Sequence, residues 1–149
     1  MSSNTPHPPD VDVPALQAML AELFAPWVKD LDLRVLHTHR GEVTLALPIA
    51  PRHVHGGQVL CGQTLMAAAD TAMVLAASSQ IGGFKPMTTV QLQTSFLRPI
   101  PGSQTETVGE AKVVARVLRA GKSLVFGEIE VFDTQGRVAA HATTTYALL

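Results

Sequence analysis

Between Arg52 and Lys85 one residue carries a formal charge, Asp70, set within Leu65-Met66-Ala67-Ala68-Ala69-Asp70-Thr71-Ala72-Met73. A carboxylate leaves water at a cost unless it is paired or hydrogen-bonded, so a chain that keeps one here needs a reason. Apolar surroundings raise its basicity, which suits a general base or a nucleophile. The same pattern also fits a buried aspartate that caps a loop or pairs with a subunit neighbour.

Cys61-Gly62-Gln63 lies about two helical turns before it. If a helix begins there, its first amides are unpaired and face an incoming anion. Gly62 has no side chain to block approach, so a developing oxyanion could rest on its amide. The plainer reading is that Gly62 only starts the helix. A thiolate at Cys61 would be stabilised at that terminus, but no dedicated base accompanies it, and inert buried cysteines are common.

His53 and His55, like His37 and His39, are spaced i, i+2. No cysteine or carboxylate cluster completes a site around either pair, so no metal is expected. Gly121-Lys122-Ser123 has the end of a phosphate-binding loop, but Arg116 stands where its first glycine belongs. The chain has neither a G-x-S-x-G elbow nor a dinucleotide-type G-x-G-x-x-G. No cofactor is implied.

These residues need elements to hold them. From Gly62 to about Ser79 the composition favours a helix, apolar nearly all round and therefore buried, stopped by Gly82-Gly83. Before it, Leu31, Leu33 and Val35 alternate with polar residues, Arg40-Gly41 turns, and Val43, Leu45 and Leu47 alternate again, which predicts a hairpin ended by Pro48 and Pro51. After it the pattern is all strand: Val90 and Leu92, then a strand over roughly 104–118, then Val125, Ile129 and Val131, then a strand from Val138 to Leu148. Pro101-Gly102, Ala120-Gly121 and Asp133-Thr134-Gln135-Gly136 supply the turns. Asp12 and Pro14 open an N-terminal amphipathic helix whose apolar face runs Leu16, Met19, Leu20, Leu23, Phe24, Trp27. Residues 1–11, polar and Pro-rich, read as a flexible tail, and 12–149 as one domain. The expected architecture is α+β, a long buried helix wrapped by an antiparallel sheet.

Bulk properties narrow the function classes. With 149 residues, 46% of them hydrophobic and 15% charged, the chain can bury a core without staples. A formal net charge of −1 gives no electrostatic footing for a nucleic-acid partner. The apolar run around Leu65–Ala77 is interrupted by Asp70 and Thr71 and is too short to span a bilayer. Met1–Pro9 has no basic n-region or apolar h-region of a secretory signal. The single cysteine makes no intramolecular disulfide and suits a reducing cytoplasm.

Element order and motif together resemble the PaaI-like hotdog-fold thioesterases, from about residue 30 to the end. In that family a His-Gly-Gly precedes the long helix and an Asp or Glu follows the His by nine residues. His55-Gly56-Gly57 matches by letters, but nine residues on is Thr64, whereas nine residues after Cys61 is Asp70. The spacing decides, because a helix fixes where its carboxylate points relative to its own start. Cys61 and Gln63 then replace the family's His and second Gly, and His55 stands where an Asn or Gln usually contacts the thioester carbonyl; an imidazole N–H donates the same bond. The resemblance implies a hotdog fold and hydrolysis of an acyl-CoA substrate. Gly62 polarises the carbonyl and Asp70 is the catalytic carboxylate. Thr89 falls near a water-positioning Ser or Thr, with Thr88 the adjacent alternative. It also implies a homodimer or homotetramer with the site between subunits. Arg98, Arg119 and Lys122 are the cations offered for the coenzyme A phosphates, though each also reads as a solvated turn charge. Two other readings are a non-catalytic acyl-CoA binder and a hotdog enoyl-CoA hydratase or dehydratase.

Overall fold

The Ala-rich run becomes the helix that the rest of the chain surrounds. In the computed structural model, which describes residues 6–149, α3 spans Gly62–Ile81. Cys61 is its N-cap, and Gly82 ends it in the left-handed region at φ 87°. Its Ala, Leu and Met side chains are buried from Leu65 to Ala77, except on one stripe. Gln63, Met66, Ala67, Asp70 and Val74 lie on that stripe at helical spacing and keep some exposure.

Six antiparallel strands wrap this helix: β1 (Arg34–His39), β2 (Glu42–Pro48), β3 (Met87–Phe96), β4 (Glu110–Ala120), β5 (Leu124–Phe132) and β6 (Val138–Leu148), in the order β1-β2-β4-β5-β6-β3. The expected α+β hotdog layering is what forms. Alternation along β2, β4 and β5 turns Leu45, Val113, Ala115, Ile129 and Val131 onto α3, all of them buried. The helix packs tightly on the sheet at Gly127. A Cβ there would fall 2.1 Å from Met73 Cε and 2.8 Å from the Arg116 carbonyl oxygen.

Three boundaries differ from the sequence expectation. The first strand begins at Arg34 rather than at Leu31, because Leu31 lies in the turn after α2 and Asp32 is left-handed at φ 55°. The N-terminal helix is not continuous through Trp27. α1 spans Val13–Glu22, capped by Asp12, whose carboxylate accepts from the Ala15 amide at 3.0 Å, and the four-residue α2 (Pro26–Lys29) follows. Pro26 keeps Ala25 extended and divides the two. Leu16 and Leu20 are buried as the pattern required, but Leu23 and Trp27 are 43% and 63% exposed. The fourth strand starts at Glu110 rather than near 104, because residues 101–109 include Pro101, Gly102 and Gly109 (φ 97°) and run as a loop.

Of the expected tail, residues 1–5 lie outside the described residues. From Pro8 the segment is held against the body without regular structure. Arg40 donates to the Pro8 carbonyl at 2.8 Å and pairs with Asp10 at 3.0 Å, and both Pro8 and Pro9 lie over Gly82. At the β5–β6 turn Asp133 accepts from the amides of Arg137 and Gln135 and from the Arg137 guanidinium, each at 2.9 Å. The Arg137 amide leads in holding this carboxyl below the usual aspartate range.

Gly127→Ala forces α3 off the sheet and lowers stability by about 1–3 kcal/mol, read as a lower Tm. A depressed folded-state pKa contributes stability above the unfolded aspartate value of about 3.9 and loses it as pH falls through the folded value. Asp133→Asn therefore lowers Tm at neutral pH, and its Tm declines less on acidification than that of the parent chain, measured by thermal melts across the acid range.

Candidate active site

Asp70 sits midway along α3 on the exposed stripe, where the helix passes the ends of β6 and β3. Two hydroxyls reach its carboxylate. Thr89 Oγ1 donates to Oδ1 at 2.9 Å, and the Tyr146 hydroxyl lies against the same oxygen and 2.8 Å from the Asp70 carbonyl oxygen. Tyr146 is 1% exposed. Burial first, and then the Asp70 charge beside it, hold its phenol well above the ordinary tyrosine range, so it stays protonated and donates. Both donors fall on Oδ1; among the described residues none is placed on Oδ2.

Thr89 reaches Asp70 because β3 is irregular there. A bulge between Thr89 and Gln91 leaves Val90 out of the ladder to β6 and 60% exposed. Thr89 pairs with Tyr146 and Leu92 with Thr144. The bulge thus turns Thr89 and Leu92 to the helix side, although plain alternation would have paired Leu92 with Val90 and Thr88. Thr88 is exposed and only edges the same hollow.

The N-terminus of α3 forms a second group. Cys61 is extended at φ −70°, ψ 148°, and no side chain caps the helix. Its Sγ lies 3.0 Å from Thr64 Oγ1. The first-turn amides of Gly62 and Gln63 therefore have no side-chain acceptor. A Cβ on Gly62 would meet the Phe96 ring at 3.3 Å. His55 precedes this end in an exposed loop closed by the Val54–Leu60 bridge. Its Nδ1 accepts from the Gly57 amide at 2.8 Å, so Nε2 carries the proton and can donate. His55-Gly56-Gly57 is thus a loop, while the helix starts at Gly62.

Arg98 lines a hollow of about 340 Å³ together with Gly62, Leu65 and Phe96, and donates to the Val138 carbonyl at 3.2 Å. Arg119 is not brought to Asp70. It pairs with Phe126 on the outer face of the sheet, opposite α3. Lys122 is exposed in the β4–β5 turn. No group of three or more metal-ligating side chains occurs among the described residues. Nor, among them, is any helix long and apolar enough to cross a membrane.

Two residues escaped the sequence reading. Tyr146 carried a signal: a lone tyrosine on the inward face of a strand must find a partner for its hydroxyl. Trp27, read as the end of the N-terminal helix's apolar face, lines the hollows beside Asp70, and nothing in its helical spacing indicated this.

Comparison with known proteins agrees with this fold. The thioesterase superfamily model matches residues 52–140. The chain belongs to that superfamily. Protein TV1331 of Thermoplasma volcanium, an esterase by name, is 26% identical over 122 residues, 82% of this chain and 86% of its own. Among solved structures, conserved protein PA5202 of Pseudomonas aeruginosa is 26% identical with a TM-score of 0.75, covering 87% of this chain and 98% of that one. A point mutant of the phenylacetic acid degradation protein PaaI of Thermus thermophilus is 25% identical with a TM-score of 0.71, covering 84% and 100%. The protein is thus a PaaI-like hotdog member of the superfamily and a hydrolase of thioester or ester bonds.

Tyr146→Phe removes one of two donors from Oδ1 and leaves a partly buried carboxylate short of a partner. It costs about 1–3 kcal/mol of stability and lowers kcat about tenfold or more with KM little changed, provided chemistry limits the rate. Thermal melts and steady-state kinetics on a thioester that the parent chain cleaves check both.

Proposed function

We propose that the protein hydrolyses an acyl-CoA thioester to the free acid and coenzyme A, with Asp70 as its catalytic carboxylate. The observation that carries this reading is the carboxylate itself, anchored through Oδ1 by Thr89 and Tyr146 and open at Oδ2. A base or nucleophile needs a fixed orientation and one free oxygen, and Asp70 has both.

One chain does not make a whole site. Gly62 and Asp70 are eight residues apart on one helix, about 12 Å along its axis. A carbonyl polarised by the Gly62 amide must instead lie about 3 Å from its attacker. The edge strand β3 supports a homodimer as the solution. Among the described residues it pairs with β6 alone, and its other edge is open. Phe96 lies beside Gly62, and Thr89 beside Asp70. Antiparallel pairing of β3 with a second copy's β3 brings the Gly62 end of one subunit opposite the Asp70 end of the other.

In this assembly the thioester oxygen rests on the Gly62 amide and the His55 Nε2–H of one subunit, with Cys61 and Gln63 flanking it. Asp70 Oδ2 of the other subunit takes a proton from water as that water attacks the carbonyl carbon. Alternatively Oδ2 attacks directly, and water then cleaves the mixed anhydride. In both routes the C–S bond breaks and coenzyme A leaves as a thiolate. Thr89 holds the carboxylate in either. Arg98, in the same hollow as Gly62, suits a coenzyme A phosphate. A pairing of two dimers into a homotetramer and a cytoplasmic location complete the reading, the latter supported by the single cysteine.

Asp70→Asn should abolish thiol release from an acyl-CoA panel while leaving oligomer size in gel filtration unchanged. Undiminished activity in that variant overturns the assignment. Tight acyl-CoA binding without thiol release by the parent chain would mark a non-catalytic binder. Hydration of an enoyl-CoA in place of thiol release would mark a hydratase. A protein that elutes as a monomer yet turns over acyl-CoA would sink the shared-site model.

A further inference from the structure

Trp27 is the only tryptophan in the chain. It is 63% exposed, yet its backbone is held on both sides. Phe24 and Val28 are half-buried, and Leu31, just beyond α2, is 2% exposed. The Asp30 carbonyl accepts from Arg52 Nε at 2.7 Å and lies 3.0 Å from His53 Nε2, which ties the end of α2 to the loop before α3. An indole fixed in this way and left in the open has a place to fill rather than a core to join.

That place is beside the carboxylate. Two hollows reach Asp70, and Trp27 lines both. One, of about 250 Å³, lies between α2, α3 and the start of β3. Its lining sets the hydroxyl-bearing Thr89 and Tyr146 beside the apolar Phe24, Val28, Val74 and Met87. The other, of about 290 Å³, runs along Gln63, Met66 and Leu92. Asp70, Ala67 and Trp27 are common to both, so the indole borders each of them. The first hollow is polar where a thioester carbonyl would sit and apolar beyond. It is also small against the roughly 300–1,000 Å³ usual for small-molecule pockets.

We propose that Trp27 is a specificity-determining residue: its indole walls the acyl end of the site and restricts the acyl group to a short chain or a single ring. This rests on the acyl-thioester reading above and adds the substrate class to it. The matched superfamily segment, residues 52–140, does not include α2. A longer chain must either displace the indole or leave methylenes in water. Removal of the indole joins the two hollows and gives the chain a continuous apolar track past Met66 and Leu92.

The test uses two readouts. In the first, kcat/KM is measured for acetyl-, butyryl-, hexanoyl-, benzoyl-, octanoyl- and dodecanoyl-CoA with the parent chain, Trp27→Ala and Trp27→Phe. The parent chain should fall about tenfold or more from hexanoyl- to dodecanoyl-CoA, on the scale of one or a few misfitted methylenes. Trp27→Ala should erase that fall, and Trp27→Phe should keep most of it. In the second, Asp70→Asn holds intact acyl-CoA while Trp27 emission is recorded, with coenzyme A alone as control. Butyryl- and benzoyl-CoA should move the emission to shorter wavelength, and coenzyme A should not.

Parallel chain-length profiles in the parent and Trp27→Ala overturn the inference, as does an emission that ignores the acyl group. If the parent chain cleaves none of the panel but the emission responds, the hydrolase reading fails and the acyl wall stands. If cleavage occurs and neither Trp27 readout responds, the wall fails alone. If there is neither cleavage nor an emission response, both fall.

Discussion

The depth at which α3 sits in the sheet governs everything built on it. At Gly127 the sheet offers no side chain, and Met73 occupies the space where a Cβ would be. Three residues before Met73 on the same helix, Asp70 is thereby brought low enough for Tyr146 on β6 and Thr89 on β3 to reach one of its oxygens. A helix standing even a methyl group higher would keep its burial in kind but lose these contacts, because hydrogen bonds weaken steeply with distance and angle while apolar contact does not. The packing constraint and the chemistry are therefore one constraint.

The same contacts resolve the cost of keeping a carboxylate in an apolar helix. The two hydroxyls satisfy one oxygen from the protein side, and the partial exposure of the stripe lets water meet the other. Among the described residues no cation pairs with Asp70, and one there would have tied up the second oxygen.

Much of this was legible in the residues. Ala-rich composition marked the buried helix, and alternation marked the hairpin and the later strands, since a period of two is imposed by one-sided burial of a strand. The single charge from Arg52 to Lys85 marked Asp70, and the spacing back to Gly62 marked the helix start. What was not legible depended on events that periodicity does not encode. Pro26 breaks the N-terminal helix, so Trp27 leaves the face that its spacing assigned to it. Alternation alone would have turned Thr88 to the helix; the bulge at Val90 turns Thr89 there instead, the residue that only the family resemblance had indicated. Arg119 follows another bulge, between Val117 and Arg119, and ends on the outer face. Tyr146 meets Asp70 across 76 residues of sequence, a pairing set by strand order alone.

That separation has a consequence for how the molecule comes into being. The helix bearing Asp70 is synthesised before any of the strands β3 to β6, and the strand with Tyr146 is the last of them. Until β6 inserts between β5 and β3, the carboxylate lacks its phenol, and β3 lacks the strand it pairs with. A nascent chain of that length has every incentive to leave Asp70 in water and its sheet unclosed. The arrival of one strand joins the two halves of the sheet and completes the carboxylate's hydrogen bonds together. Closure of the sheet and completion of the carboxylate's hydrogen bonds therefore depend on the same strand, the last of the six to be synthesised.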